Sequence, residues 1–200
     1  MQAIDRLSQG ALAVVTGQQA GLLTGPLYTI YKAASAVILA RQLEERLQSP
    51  VAPVFWLASE DHDFVEVRSA FFPVGRGQEL VFPGDFSLTP AAEIPLTQGA
   101  VEEVLHQLKT LLPQSDFSPE VFSLLGEAAR GSFSDWCGGL LCRLFSQYGL
   151  IVVDSCGLPV RSAARPVFSQ AIDEGPEIHR LLDQAGAAMV AQGRKPGLDV

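Results

Sequence analysis

Apolar positions follow two rhythms along this chain. Continuous runs at residues 11–16, 51–58 and 150–154 are short and unbroken. Runs of that length predict strands buried on both faces of a sheet. Between the first two, Leu27, Ile30, Ala33, Ala34, Val37, Ala40, Leu43 and Leu47 recur at helical spacing. Pro26 suits the first helical position, with Thr24 or Gly25 as its cap. Pro50 forces Ser49 out of helical geometry, so the helix ends near Gln48. Pro53 predicts that the second strand begins its ladder only after that residue. Strand, helix and strand in this order make a βαβ unit with parallel strands and a right-handed crossover. Its two strand-to-helix loops, residues 17–25 and 59–63, are then expected at one carboxyl edge and one pocket. That edge is where open α/β sheets bind ligands.

Later segments extend the pattern. Residues 67–74 and 78–82 flank Gly75-Arg76-Gly77, which predicts a hairpin. Val101, Val104, Leu105, Leu108 and Leu112 mark a helix ended by Pro113, and Ser118-Pro119-Glu120 starts another. A helix over 134–148 is closed by Gly149, and Asp154 ends the third strand. Two helical segments follow, near 160–172 and 177–192, and residues 195–200 read as a linker. The fold class predicted is α/β: a Rossmann-type parallel sheet with helices on both faces and an inserted hairpin and helical segment. Residues 1–64 form the first half of the core, 65–130 the inserted connecting segment and 131–200 the second part.

Composition narrows the functions open to such a fold. A 48% hydrophobic and 18% charged chain of 200 residues can bury a substantial core. A net charge of −8 disfavours a nucleic-acid partner while leaving room for a local anion pocket. No apolar run reaches the roughly 18–20 residues of a membrane span. Met1 to Arg6 lacks the layout of a secretory signal. Cys137, Cys142 and Cys156 lack C-x-x-C spacing. They are expected to be small buried hydrophobes in a reducing cytoplasm.

Three groups of residues carry candidate chemistry. Thr16, Gly17, Gln18, Gln19, Gly21, Thr24 and Gly25 form a glycine-punctuated stretch that leads into a helix start, where an anion is favoured. Its spacing matches neither a Walker A loop nor G-x-G-x-x-G, so a plain glycine-rich turn stands beside the binding reading. Ser59, Glu60, Asp61, His62 and Asp63 crowd the end of an apolar strand. Helix capping explains one or two of these acids. The others point to acid/base chemistry, polar substrate binding or a divalent metal. The metal is disfavoured because His106 and His179 lie in separate helical patterns. Crowded like charges are expected to raise at least one carboxyl pKa and to favour protonated His62. Asp154, ending a buried strand, either binds a ligand or caps the next turn. Tyr28 lies one turn from the loop and can face the site, Tyr31 suits the core, and Lys32 pairs with an anion or is solvated.

These stretches carry a family resemblance. Val15-Thr16-Gly17-Gln18-Gln19-Ala20-Gly21-Leu22-Leu23-Thr24-Gly25-Pro26-Leu27-Tyr28 with Thr29 to Ala33, and Pro53-Val54-Phe55-Trp56-Leu57-Ala58-Ser59-Glu60-Asp61-His62-Asp63-Phe64, resemble the signatures of the bacillithiol biosynthesis cysteine-adding enzymes. The segment from Leu144 through Asp154 to Arg161 is similar to that family's third strand region. The resemblance implies a Rossmann-type core like that of class I aminoacyl-tRNA synthetases, with a dimerising carboxyl-terminal coiled coil. It implies addition of cysteine to glucosaminyl malate, the last step of bacillithiol synthesis, by a cytoplasmic homodimer. Tyr28 and Tyr31 stand where the synthetases carry histidines. Amide formation from a carboxylate needs activation, for which ATP is the usual route; the residues do not identify the cofactor. The resemblance also implies a chain cut short at its carboxyl end and at its amino end, with an apolar face left exposed. Two other readings stay open: a nucleotide-binding or nucleotidyl-transferring domain, and a non-catalytic fragment that binds a small anion.

Overall fold

The computed structural model describes residues 2–75 and 77–197. Arg76 of the expected hairpin tip and the last residues of the expected linker lie outside them. In chain order the elements are α1 (Gln2–Ser8), β1 (Leu12–Gln19), α2 (Leu27–Leu47), β2 (Val51–Ala58), α3 (Phe64–Val67), β3 (Ser69–Phe72), β4 (Gln78–Val81), α4 (Gln98–Leu111), α5 (Ser118–Ala128), α6 (Phe133–Phe145), β5 (Ile151–Asp154), α7 (Leu158–Asp173) and α8 (Gly175–Ala191). Residues up to Gly157 form one compact unit and those from Leu158 a second. In the second unit, α7 and α8 pack on one another without burying any residue.

The main sheet has the order β1-β2-β5, with both pairings parallel. Helices lie on both sides of it, in an α/β, Rossmann-like arrangement. Only β2, in the centre, is buried along most of its length. The expectation that all three strands are buried on both faces is therefore corrected. Both β1 and β5 are edges among the described strands; Leu12 and Val15 are exposed, and β5 is half-buried throughout.

Pro53 gives a second correction. The β1–β2 ladder already begins at Leu12↔Val51 and includes Val14↔Pro53. Leu12 N–H donates to the Pro50 carbonyl, and Ser155 N–H to that of Leu57. Alternation along β2 then turns the Pro53 backbone, like that of Leu57, towards β5. There the ladder begins only at Val54↔Ile151, so no bond is lost. The proline restricts one neighbour and not the other.

The core continues from the sheet into the residues between β2 and α6. Phe64, Phe82 and Phe133 are buried and meet one another edge-to-face, the shortest contact being 5.0 Å between Phe82 and Phe133, and Phe86 packs on Phe64 and Phe82. Such geometry matches the positive edge of one ring to the negative face of another. Trp136 is buried on α6, and its indole N–H donates to the Leu125 carbonyl at 2.9 Å. Gly138 lets α6 approach β2: a β-carbon there would lie 3.2 Å from Leu57 Cδ2. The predicted hairpin is present, with Ser69 opposite Val81 and Phe72 opposite Gln78. Gly149 takes the left-handed conformation expected of it, φ 75°.

Helix α6 begins in a capping box. The Ser132 hydroxyl accepts from Asp135 N–H at 3.2 Å, and the Asp135 carboxylate accepts from Ser132 N–H at 2.8 Å. Ser132→Ala removes one half of this exchange and should destabilise the fold by about 1 kcal/mol. Urea unfolding checks it; an unchanged midpoint would show that the cap adds nothing to stability.

Candidate active site

Parallel pairing brings three strand ends together. Gln19, the last residue of β1, pairs with Ala58, the last of β2, and Leu57 pairs with Asp154, the last of β5. Both signature stretches therefore reach the same carboxyl edge, as the βαβ reading requires.

β2 and β5 are tied together just beyond this register. Ser59 is wholly buried. Its hydroxyl donates to the Asp154 carboxylate and accepts from Cys156 N–H at 3.2 Å. Ser59 N–H donates to the Ser155 hydroxyl at 3.0 Å, and that hydroxyl donates to the Glu60 carboxylate. Asp154 also accepts from Cys156 N–H at 2.7 Å. Of its two predicted roles, Asp154 thus performs the turn-capping one.

A second knot joins β1 to the segment after β2. The Gln19 amide donates to Asp61 at 2.7 Å and to Glu66 at 3.2 Å. Asp61 also accepts from Asp63 N–H at 2.9 Å. Asp63 caps α3 through Glu66 N–H at 3.4 Å, so the capping reading accounts for this one acid. The Asp63 backbone amide, then the Gln19 amide, hold the Asp61 carboxyl below its ordinary value, and the neighbouring His62 adds to the effect. The expectation of a raised carboxyl pKa fails for Asp61, because donors outweigh crowding. His62 is exposed and makes no side-chain hydrogen bond among the described residues.

The glycine-punctuated stretch divides differently from its sequence reading. Gly17, Gln18 and Gln19 belong to β1, and Thr16 lies inside that strand opposite Phe55. The turn proper is residues 20–26. Pro26 is the residue before the helix, not its first; Leu27 begins α2, and neither Thr24 nor Gly25 caps it. The turn is tight: a β-carbon on Gly21 would lie 2.7 Å from Gly25 Cα, and Leu23, Thr24 and Gly25 all have positive φ. Beneath it sits Cys137, whose sulfur faces the backbone amides of Gly21 and Thr24. Burial prevails over those donors and pushes the thiol up to about 12. Cys137 is the buried small hydrophobe expected, whereas Cys142 is exposed and Cys156 half-buried.

Tyr28 is 62% and Tyr31 63% exposed, so Tyr31 is no core residue. Lys32 reaches back to the strand end: its ammonium is 3.0 Å from the Gly17 carbonyl, 2.7 Å from Gln18 Oε1 and 4.7 Å above the Tyr28 ring. Lys32 stood outside the predicted site set. The signal for it was its i+4 spacing from Tyr28 on a helix that leaves the site. A cleft of about 500 Å3 lined by Gln78, Leu80, His106 and Thr110 involves none of the carboxyl ends of β1, β2 and β5. No helix among the described residues is long and apolar enough to cross a membrane.

A family model for bacillithiol biosynthesis BshC, N-terminal Rossmann-like domain, matches residues 1–200. The chain belongs to this family. Relatives named "Putative cysteine ligase BshC" are similar to most or all of the chain. That of Symbiobacterium thermophilum is 37% identical over 84% of this chain and 33% of its own length. That of Desulforamulus reducens is 34% identical over 96% and 36%. That of Geobacillus thermodenitrificans is 33% identical over the whole chain and 38% of its own length. The chain therefore spans 33–38% of the length of these BshC relatives.

The Asp61 environment sets a pH dependence. A carboxyl with a depressed folded pKa contributes stability that is complete above its unfolded value, 3.8, and is lost as pH falls through the lower folded value. Asp61→Asn should therefore flatten the acid limb of the stability profile below about pH 4. Denaturant unfolding between neutral pH and pH 2 measures it; an unaltered acid limb would contradict the bonding described.

Proposed function

We propose that this chain is the Rossmann-like part of a cysteine ligase. In this reading the whole protein joins the carboxyl of cysteine to the sugar amine of glucosaminyl malate, completing bacillithiol. The convergence of Gln19, Ser59, Asp61 and Asp154 at one sheet edge carries the reading, together with the ligase name of the relatives.

The parts divide by charge. Glu60, Asp61, Asp63 and Asp154 form an acidic edge suited to an ammonium or amine. Asp61 is held ionised by its donors, so it serves as a fixed negative charge and not as a proton carrier. Proton transfer from the attacking amine falls to His62, which is exposed beside it. Thr16, Gly17, Gln18, Gly21, Thr24, Gly25 and Tyr28, on β1, the turn after it and the start of α2, are the proposed substrate-binding residues. The carboxylate of cysteine has no leaving group until it is activated. ATP is the proposed activator; its phosphoryl group would take the carboxyl oxygen away as the amide bond forms. The proposed setting is a cytoplasmic homodimer.

The test uses the longer enzyme that contains this chain. His62→Asn keeps a hydrogen-bonding group but removes titration. Turnover of cysteine and glucosaminyl malate should fall by about two to four orders of magnitude with folding intact. Near-normal turnover in a folded variant would remove His62 from the mechanism and move attention to Glu60, Asp61 and Asp63.

A further inference from the structure

Two serines join the ends of β2 and β5, and each sits in the same kind of chain. A backbone amide donates to a buried hydroxyl, and the hydroxyl donates in turn to a carboxylate. For Ser59 the chain runs from Cys156 N–H, at 3.2 Å, to Asp154. For Ser155 it runs from Ser59 N–H, at 3.0 Å, to Glu60. The amide fixes the direction of each hydroxyl, whose own proton must point away from the incoming donor. Ser155 is itself held in place. It is 9% exposed, and its N–H donates to the Leu57 carbonyl at 3.1 Å.

The two chains end differently. Asp154 is half-buried and also accepts the Cys156 amide at 2.7 Å, so it is committed to the turn. Glu60 is exposed, and its side chain has Ser155 as its one hydrogen-bond partner among the described residues. The other acids of the edge are placed by different bonds. Asp61 has one oxygen on Asp63 N–H and the other on the Gln19 amide. Asp63 caps α3, and Glu66 shares the Gln19 amide. An exposed glutamate ordinarily keeps most of its rotamer freedom. Glu60 is instead anchored from the interior through Oε2, while its Oε1 has no partner among the described residues.

We propose that Ser155 is a positioning residue that holds Glu60 as the carboxylate receiving the amine substrate. The ligand class is a primary amine in its ammonium form. The buried hydroxyl removes in advance a freedom that binding would otherwise have to remove. The identity of the amine rests on the ligase reading. Of the four acids named there, one then meets the amine, and one buried serine aims it. Nothing in the sequence marks Ser155, because its part exists only once β5 lies beside β2.

The test is calorimetric binding of glucosaminyl malate to the longer enzyme that contains this chain. The N-acetylated sugar serves as the form without an ammonium. Glu60→Gln should weaken amine binding about tenfold, as loss of a charge-assisted hydrogen bond does. Ser155→Ala should weaken it about fivefold, by returning to Glu60 a freedom that binding must then remove. The double variant should bind no more weakly than Glu60→Gln alone, because Ser155 acts through Glu60. Parent and variants should bind the acetylated sugar equally weakly. A serine with only a structural role would weaken binding of both sugars and add its loss to that of Glu60→Gln. Ser155→Ala also leaves the Ser59 amide unpaired, and Glu60→Asp spares that bond. The shorter carboxylate falls a methylene short of Ser155, so Glu60→Asp should bind like Ser155→Ala. Parent-like amine binding by Glu60→Gln or Glu60→Asp overturns the proposal, as do additive losses in the double variant or a parent that binds no amine. Binding needs no turnover. An enzyme that binds the amine through Glu60 yet forms no amide refutes the ligase reading alone. One that forms the amide while its Glu60 variants bind normally refutes this assignment alone.

Discussion

Parallel pairing of β2 with both neighbours is the constraint from which the rest of the site follows. Parallel strands point one way, so their carboxyl ends share an edge whatever lies between them in sequence. Here that rule collects Gln19, Ala58 and Asp154 from three distant segments. The side chains then only have to close short gaps. Ser59 closes the gap to β5 and Gln19 the gap to the segment after β2. Because Ser59 is fully buried, its hydroxyl must both donate and accept, and it does.

The sequence made the skeleton of this arrangement legible and left its finer assignments hidden. Apolar runs located the three strands, and Pro50, Pro113 and Gly149 marked helix ends, since each acts through backbone geometry local to itself. Burial was harder to read. Leu12 and Val15 look like core residues, but which strand is central depends on sheet order, a long-range fact. The glycine stretch was misdivided for a similar reason. Gly17 reads as loop, yet it lies in β1, where a β-carbon would meet the Trp56 carbonyl at 2.6 Å. Its small size serves strand packing, not turning.

Electrostatics at the edge also depended on contacts that composition cannot show. Five acids lie on or just after β2 and β5, counting Glu66 with Glu60, Asp61, Asp63 and Asp154. Crowding alone argues for a raised pKa. Backbone and amide donors reverse that for Asp61, and these donors come partly from Gln19, which is distant in sequence. Lys32 went unassigned for the same reason: its partners are the Gly17 carbonyl and the Gln18 amide, visible only once α2 folds back on β1.

The Ser59–Ser155 bond joins residues 96 apart. Closing a flexible loop of that size costs about 4 kcal/mol of chain entropy beyond a constant. The βαβ unit, by contrast, is made of near neighbours. β1, α2 and β2 can associate while β5 is still unplaced. Until it arrives, Ser59 and Glu60 lack the partners that satisfy them. During synthesis β5 also leaves the ribosome well after β2. The functional edge is thus a late product of folding, completed when the third strand docks, and a chain interrupted before residue 151 would retain the unit without the network.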